Sequence, residues 1–436
     1  LVMKFVLKNY FETSCKILFC TVLFWHAYMQ VSEASGLYNE RLYELIISTP
    51  EAVEAKQNLM LNDFEIDLLT KQTGPKVNFS SNGNYPLKTE ISPQNSRVSS
   101  VDERYIDGKL SLDVQIYDFG AQNELITSEN FKKLSGQIEL RILEQELYFD
   151  LLKTGFEIVA LTQNINMIEG DIELHNLDRA IIKKRFIHGT GTSIDIKEAE
   201  LISLNLENEY RNAKSDLTER RSYFLVKFGQ NFDIYRMEIE EIHKLLPEPV
   251  KAFEIENGLK IRKLSYEIEA IESEINSIKK SRLPVISSSL SLNMYNLDVG
   301  IGNDYSFTGG VNMRVPLYDT GASKSKEYSA LMKIKIVKTQ IIKEQNIWQQ
   351  KWDQNNFAIS NITNQIDFIS KKQSELSDKY ELLQNLSKTL QTNFMETVNA
   401  RVASRQLYRE ENQLQWELSG RYLETAYLRE YLLMND

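Results

Sequence analysis

The sequence predicts a mainly α-helical protein with a small membrane β part, built from one unit used twice: helix, strand, strand, very long helix, helix. Three observations predict it. Two strictly alternating stretches end on the same turn, Tyr117-Asp118-Phe119-Gly120-Ala121 and Tyr318-Asp319-Thr320-Gly321-Ala322. Each turn opens a helical pattern without proline, from Ala121 to Phe186 and from Ala322 to Phe394. Matching landmarks recur at similar distances: Pro75 and Pro284 lie 209 residues apart, Gly120 and Gly321 lie 201 apart, and Phe186 and Phe394 lie 208 apart. Spacing of this kind is the mark of an internal duplication.

The N-terminus reads as an export signal over 1–34. Lys4, Lys8 and Lys16 precede an apolar run from Ile17 to Met29, and Ser32-Glu33-Ala34 has the small-x-small form of a cleavage site. The first repeat then spans 35–231. Leu42, Leu45, Ile46, Val53, Leu59, Phe64 and Leu68 recur at helical spacing and stop at Gly74-Pro75. Strands are expected at 76–86 and 109–118, with the polar stretch 88–104 as a loop. In the second strand Leu110, Leu112, Val114 and Ile116 face one way and Ser111, Asp113 and Gln115 the other.

The helix expected over 121–187 is about 100 Å long at 1.5 Å per residue. Its stripe, Leu134, Ile138, Leu147, Leu151, Ile158, Ile165, Ile172 and Leu177, steps by threes, fours and sevens, as coiled-coil packing requires. His188 to Ser193 breaks it with two glycines, and Ser193 suits the cap of a returning helix over 193–228, closed by Gly229. A linker over 232–249 carries Pro247 and Pro249. The second repeat, 250–436, places strands at 285–297 and 305–317 and helices at 322–394 and 401–433, with a second tip at Met395 to Val402.

Composition narrows the function. The 436 residues carry a formal charge of −10, against a nucleic-acid surface. Both cysteines, Cys15 and Cys20, lie in the signal, so the remainder has no disulfide framework and no cysteine metal site. The four histidines are scattered. Gly189-Thr190-Gly191-Thr192 lacks the Lys-Ser/Thr ending of a phosphate loop. No nucleophile, paired-carboxylate or metal constellation stands out, and no cofactor is expected.

Strands apolar on one face and polar on the other suit the wall of a transmembrane β-barrel. Four strands cannot close one, and an open sheet in lipid leaves unpaired backbone groups. Other copies must complete it. Two copies give eight strands and three give twelve; an eight-stranded lumen is filled by side chains, so a conduit argues for three. Tyr85, Tyr105, Tyr117, Tyr295, Tyr305 and Tyr318 lie near strand ends, where interfacial aromatic girdles sit.

The paired Tyr-Asp-x-Gly turns, each between an alternating strand and a very long helix, resemble those of the TolC-like outer-membrane efflux family. That resemblance covers nearly the whole chain after the signal. It implies a homotrimer in the bacterial outer membrane, in contact with its lipid. One twelve-stranded barrel would continue as an α-helical barrel into the periplasm. Such a protein is the passive exit duct of a tripartite efflux or type I secretion system, joined by a periplasmic adaptor to an inner-membrane pump of ABC or RND type. The rival reading is a periplasmic adaptor or coiled-coil scaffold; adaptors place a single hairpin within a lipoyl-like β domain, whereas the unit here occurs twice.

The family also carries a tip signature: an aromatic residue, a glycine three residues on and an Asp nine residues on. The first half matches with Phe186, Gly189 and Asp195. In the second half Phe394 is followed by Thr397 and Ala403. The resemblance makes Phe186, His188, Gly189, Gly191, Phe394 and Thr397 candidates for adaptor docking. It makes Asp195, Glu198, Arg401 and Arg405 candidates for charges at the tunnel entrance, the arginines as cationic rings where Ala403 and Gln406 stand in the paired-Asp motif.

Overall fold

A computed structural model describes residues 37–84, 105–246, 255, 258–295, 304–388 and 394–433. The expected export signal, the loop 88–104, Tyr85 and the end of the linker lie outside them.

The described chain runs α1 (Glu40–Ile47), α2 (Pro50–Gln72), β1 (Lys76–Asn84), β2 (Tyr105–Tyr117), α3 (Ala121–Ile187), α4 (Ser193–Phe228), a 3-10 turn (Phe232–Ile234), α5 (Arg236–Leu245), α6 (Leu259–Lys280), β3 (Val285–Met294), β4 (Tyr305–Arg314), α7 (Ala322–Lys388) and α8 (Phe394–Leu428). It divides into two compact units. A helical unit takes residues up to Glu54, Leu140–Leu259 and from Gln345 onward; a sheet unit takes Ala55–Glu139 and Lys260–Glu344.

In the sheet unit the four strands are antiparallel in the order β1-β2-β3-β4. The register puts Phe79 opposite Leu110, Leu110 opposite Leu292, and Leu292 opposite Phe307. One face therefore carries Val77, Leu112, Leu290 and Val311, and the other Asn78, Ser111, Ser291 and Asn312, as the alternation predicts. The polar face is cross-linked by hydrogen bonds such as Ser291–Thr308 (2.7 Å) and Asn293–Ser306 (3.2 Å). The apolar face is open: Phe79, Phe307 and Val311 are exposed.

Two strand boundaries differ from expectation. β2 begins at Tyr105 rather than 109, because its first residues pair with Gly83 and Asn84 of β1. β4 stops at Arg314 rather than 317, because Pro316 has no N–H to give the ladder.

α3 and α7 are 67 residues each, about 100 Å of helix. In the helical unit the main core forms where α1, the 3-10 turn and α5 pack on α3, α4 and α8. It contains Leu42, Ile46, Tyr148, Leu151, Phe156, Phe224, Phe232, Ile239 and Leu423. Gly155 admits α5 closely: a β-carbon there would meet Ile239 Cδ1 at 2.7 Å.

The last helix already includes Phe394, ahead of the expected 401, and α7 is described as far as Lys388. From the turn onward the duplication is therefore in one register. Gly120 and Gly321, and the starts of α3 and α7, stand 201 residues apart. Gly229 and Glu430, which close α4 and α8 in left-handed conformation (φ 70° and 57°), keep the same offset.

Candidate functional site: the turns and the helical tips

The two strand-to-helix turns are built alike. Asp118 accepts hydrogen bonds from the N–H groups of Gly120 (2.9 Å) and Gln122 (2.8 Å); Asp319 accepts from Gly321 (3.0 Å) and Ser323 (2.9 Å). Each carboxylate satisfies amides at the start of a long helix, where the helix dipole favours negative charge. For Asp319 the Ser323 hydroxyl first, then the N–H groups of Ser323 and Gly321, hold the carboxyl below its ordinary value. Two left-handed residues turn the chain in each copy: Phe119 and Gly120 (φ 59° and 80°), Thr320 and Gly321 (φ 51° and 86°). Tyr117 packs its ring on Phe119 at 4.8 Å, and both Tyr117 and Tyr318 are exposed. The duplicated turn thus fixes how a strand passes into a helix.

At the far end of α3 the chain turns back tightly. The N–H groups of Thr190 and Gly191 both donate to Arg185 O (2.9 and 3.1 Å), and Gly189 takes φ 72°. Thr192 caps α4. Its hydroxyl accepts from Asp195 N–H (3.2 Å), and Asp195 returns a bond to Thr192 N–H (2.8 Å). Asp195 is thereby buried in the cap. His188 and Ile187 are exposed and Phe186 is half-exposed. Phe394 opens α8 with its ring under the Arg185 guanidinium at 5.5 Å. Thr397 is buried; Asn399 donates to Glu198 at 2.7 Å.

This register corrects the second-half signature. At the 201-residue offset Phe394 matches Ser193, not Phe186, and Phe394 is already helical. The residue matching Asp195 is Glu396, so the acid in the first turn is present in both hairpins. Its apparent loss at Ala403 came from aligning two aromatic side chains that stand on opposite sides of the turn. The residues expected to form a tip, Met395 to Val402, are helical and belong to α8.

Arg401 and Arg405 are both held in ion pairs with acids of α3. Arg401 pairs with Asp178, Arg405 with Asp171, and Arg409 with both Asp171 and Glu209 (2.7 Å to the latter). Asp171 and Asp178 are buried, as is His175 between them on the same face of α3. His175 Nε2 lies 2.8 Å from Ala199 O on α4. Burial, with Arg179 and Arg401 nearby, holds the imidazole below its ordinary value despite that hydrogen bond. The cluster ties α3, α4 and α8 together beside a small core of Ile182, Ala199, Met395 and Val398.

Asp171, His175, Asp178 and Arg409 escaped the sequence reading. The apolar stripe of α3 predicted Leu177 inside; Leu177 is 64% exposed, and the inward positions belong to the charged residues. The available signal was a match of spacings: Asp171 and Asp178 seven apart on one helix, and three arginines four apart on another.

No family model matches the chain, and no curated protein matches it in sequence. Solved structures do match in fold. A CusC structure from a study of folding and transmembrane channel formation aligns with TM-score 0.73 and 11% identity, over 89% of this chain and 91% of that one. The outer-membrane protein VceC of Vibrio cholerae aligns with TM-score 0.71 and 12% identity, over 90% and 95%. The fold is TolC-like. A third TolC-like structure, the open state of the MtrE outer-membrane channel of Neisseria gonorrhoeae, gives TM-score 0.71 and 11% identity over 90% of this chain and 88% of that one. The TolC-like fold accounts for the repeat, the four-stranded antiparallel sheet and the paired long helices together.

Proposed function

We propose that the chain is one protomer of a trimeric outer-membrane channel. It would be the passive exit duct of an export system whose energy comes from an inner-membrane pump, reached through a periplasmic adaptor. The observation that carries this reading is the sheet. It ends on two strand edges, β1 and β4, and turns an open apolar face outward opposite a polar one. In lipid the edge backbone groups need partners, and edges of further copies supply them. Three copies close twelve strands with the polar face around a lumen, and leave Phe79, Phe307 and Val311 toward the acyl chains.

The tips complete the proposal. The exposed loop from Phe186 to Gly191 is offered to the adaptor. The pairs Arg401–Asp178 and Arg405–Asp171 clamp the hairpins at the entrance, rather than presenting cationic rings. Asp195 serves its helix cap.

Electron microscopy of the chain purified in detergent tests the reading. Hollow particles with three-fold end views are expected. Monomers, or solid rods without a lumen, would overturn it in favour of a coiled-coil scaffold.

A further inference from the structure

We infer that the helical unit holds a binding site for an amphiphilic organic cation, an apolar ring-bearing body with a positive charge, in a cleft between α3, α4 and α8. The cleft is lined within one chain, so the inference goes beyond the channel reading and does not rest on it.

The cleft has a volume of about 990 Å³, the size of a small-molecule site. Three contacts brace the helices around it. Arg220 of α4 pairs with Glu157 of α3 at 3.2 Å, Trp416 of α8 donates its indole N–H to Gln163 of α3 at 2.9 Å, and Arg409 of α8 pairs with Glu209 of α4 at 2.7 Å. Between these contacts the helices present small residues where larger ones would fill the space: Ala160, Ala213 and Gly420 all line the cleft. A β-carbon on Gly420 would meet no atom within 4 Å. Gly420 stands one turn after Trp416 and one turn before Glu424, all three on the cleft face of α8.

The wall beside this gap is aromatic and held in place. Trp416 stacks on His243 of α5, with 4.1 Å between ring centroids and 23° between planes, and leans on Phe156 at 6.0 Å. Its N–H is already committed to Gln163. The rings of Trp416 and Phe156 are thus ordered without a ligand, and the negative faces of such rings attract a cation and repel an anion.

The charges agree with the rings. The lining carries seven carboxylates against four bases, a balance of −3. The bases are engaged: Arg220 with Glu157, Arg409 with Glu209 and Asp171, Arg421 with Glu424 at 3.0 Å, and Lys153 over the Phe149 ring at 6.0 Å. Asp216, Glu219 and Glu410 line the cleft, are exposed, and have no ion pair among the described residues. A cleft whose walls carry one sign of charge in excess concentrates the opposite one. An organic cation therefore gains from the rings and from the carboxylates, and an anion of the same shape gains from neither.

The test is binding of rhodamine 6G, a cationic ring dye, to the full chain purified in detergent, read by fluorescence anisotropy against detergent alone. Fluorescein, an anionic dye with the same ring system, is the control. Rhodamine should bind saturably, one per chain, and fluorescein about tenfold more weakly. Gly420→Leu fills the gap and should weaken rhodamine binding about tenfold. Asp216→Asn with Glu219→Gln and Glu410→Gln removes the excess charge at exposed positions. That variant should weaken rhodamine binding severalfold and narrow its lead over fluorescein, and it alone decides if Gly420→Leu does not fold. Equal binding of the two dyes, rhodamine binding that does not saturate, or either folded variant binding as the parent does would overturn the site. Hollow three-fold particles that bind no rhodamine would overturn it and leave the channel standing.

Discussion

The strand-to-helix turns and the helical tips are the two ends of the same duplicated helices, yet they kept different things. The turns repeat down to individual hydrogen bonds, with Asp118 and Asp319 each holding two amides. At the tips the 201-residue register continues but the chemistry does not repeat: Asp171, His175 and Asp178 in one copy stand where Lys372, Leu376 and Lys379 stand in the other. A left-handed backbone admits few residue types, whereas a helix surface admits any that suits its neighbour.

The largest effect should come from the tip cluster. Asp171→Ala leaves Arg405 and Arg409 without their shared carboxylate, and breaking a buried pair costs about 3–5 kcal/mol. Denaturant melts should show the loss, and hydrogen exchange should place it in α3 and α8 near the tip; unchanged protection there would contradict the clamp. The turns provide the next contrast. Gly120→Ala and Gly321→Ala each put a side chain at positive φ, at about 1–2 kcal/mol apiece. Equal losses in thermal unfolding would show that the two turns are equivalent in energy as well as geometry.

Acidification separates the copies again. The folded-state value of His175 lies below its ordinary 6.5, so partly unfolded tips take up the proton first. The contribution is complete above about pH 6.5 and is lost as pH falls below it. The groups around the ring are Ala199 O, Arg179 and Arg401, with Asp171 and Asp178 a turn away on either side. Exchange rates at the tip should rise with acid in the parent chain and much less in His175→Gln. The smallest expected change is a gain. Thr320→Gly relieves a β-branched residue at φ 51° and should raise stability by up to about 1 kcal/mol, whereas an unchanged melt would show no strain at that turn.

Strands, long helices and turns were legible in the sequence because each follows from local chemistry: alternation, unbroken helical periodicity, and Asp and Gly at fixed offsets. The tip cluster was not. An aspartate on a long helix has the same local signature whether it faces water or a buried arginine, and Arg401 lies more than two hundred residues from Asp178. The register of the second hairpin was lost for a related reason. Phe186 and Phe394 are alike as side chains, but one lies in the last turn of α3 and the other belongs to α8.

The unbroken length of α3 and α7 has a consequence for how the gene can vary. Adding one residue within either helix would rotate everything beyond it by about 100° and advance it by about 1.5 Å. Asp171 would swing away from Arg405, or Asn355 from Thr425, and the two hairpins would lose their common register. Substitutions, even charge reversals, can accumulate along these helices; a single inserted codon needs a matching one in the other copy. The pair of helices acts as a ruler whose two edges must be cut together.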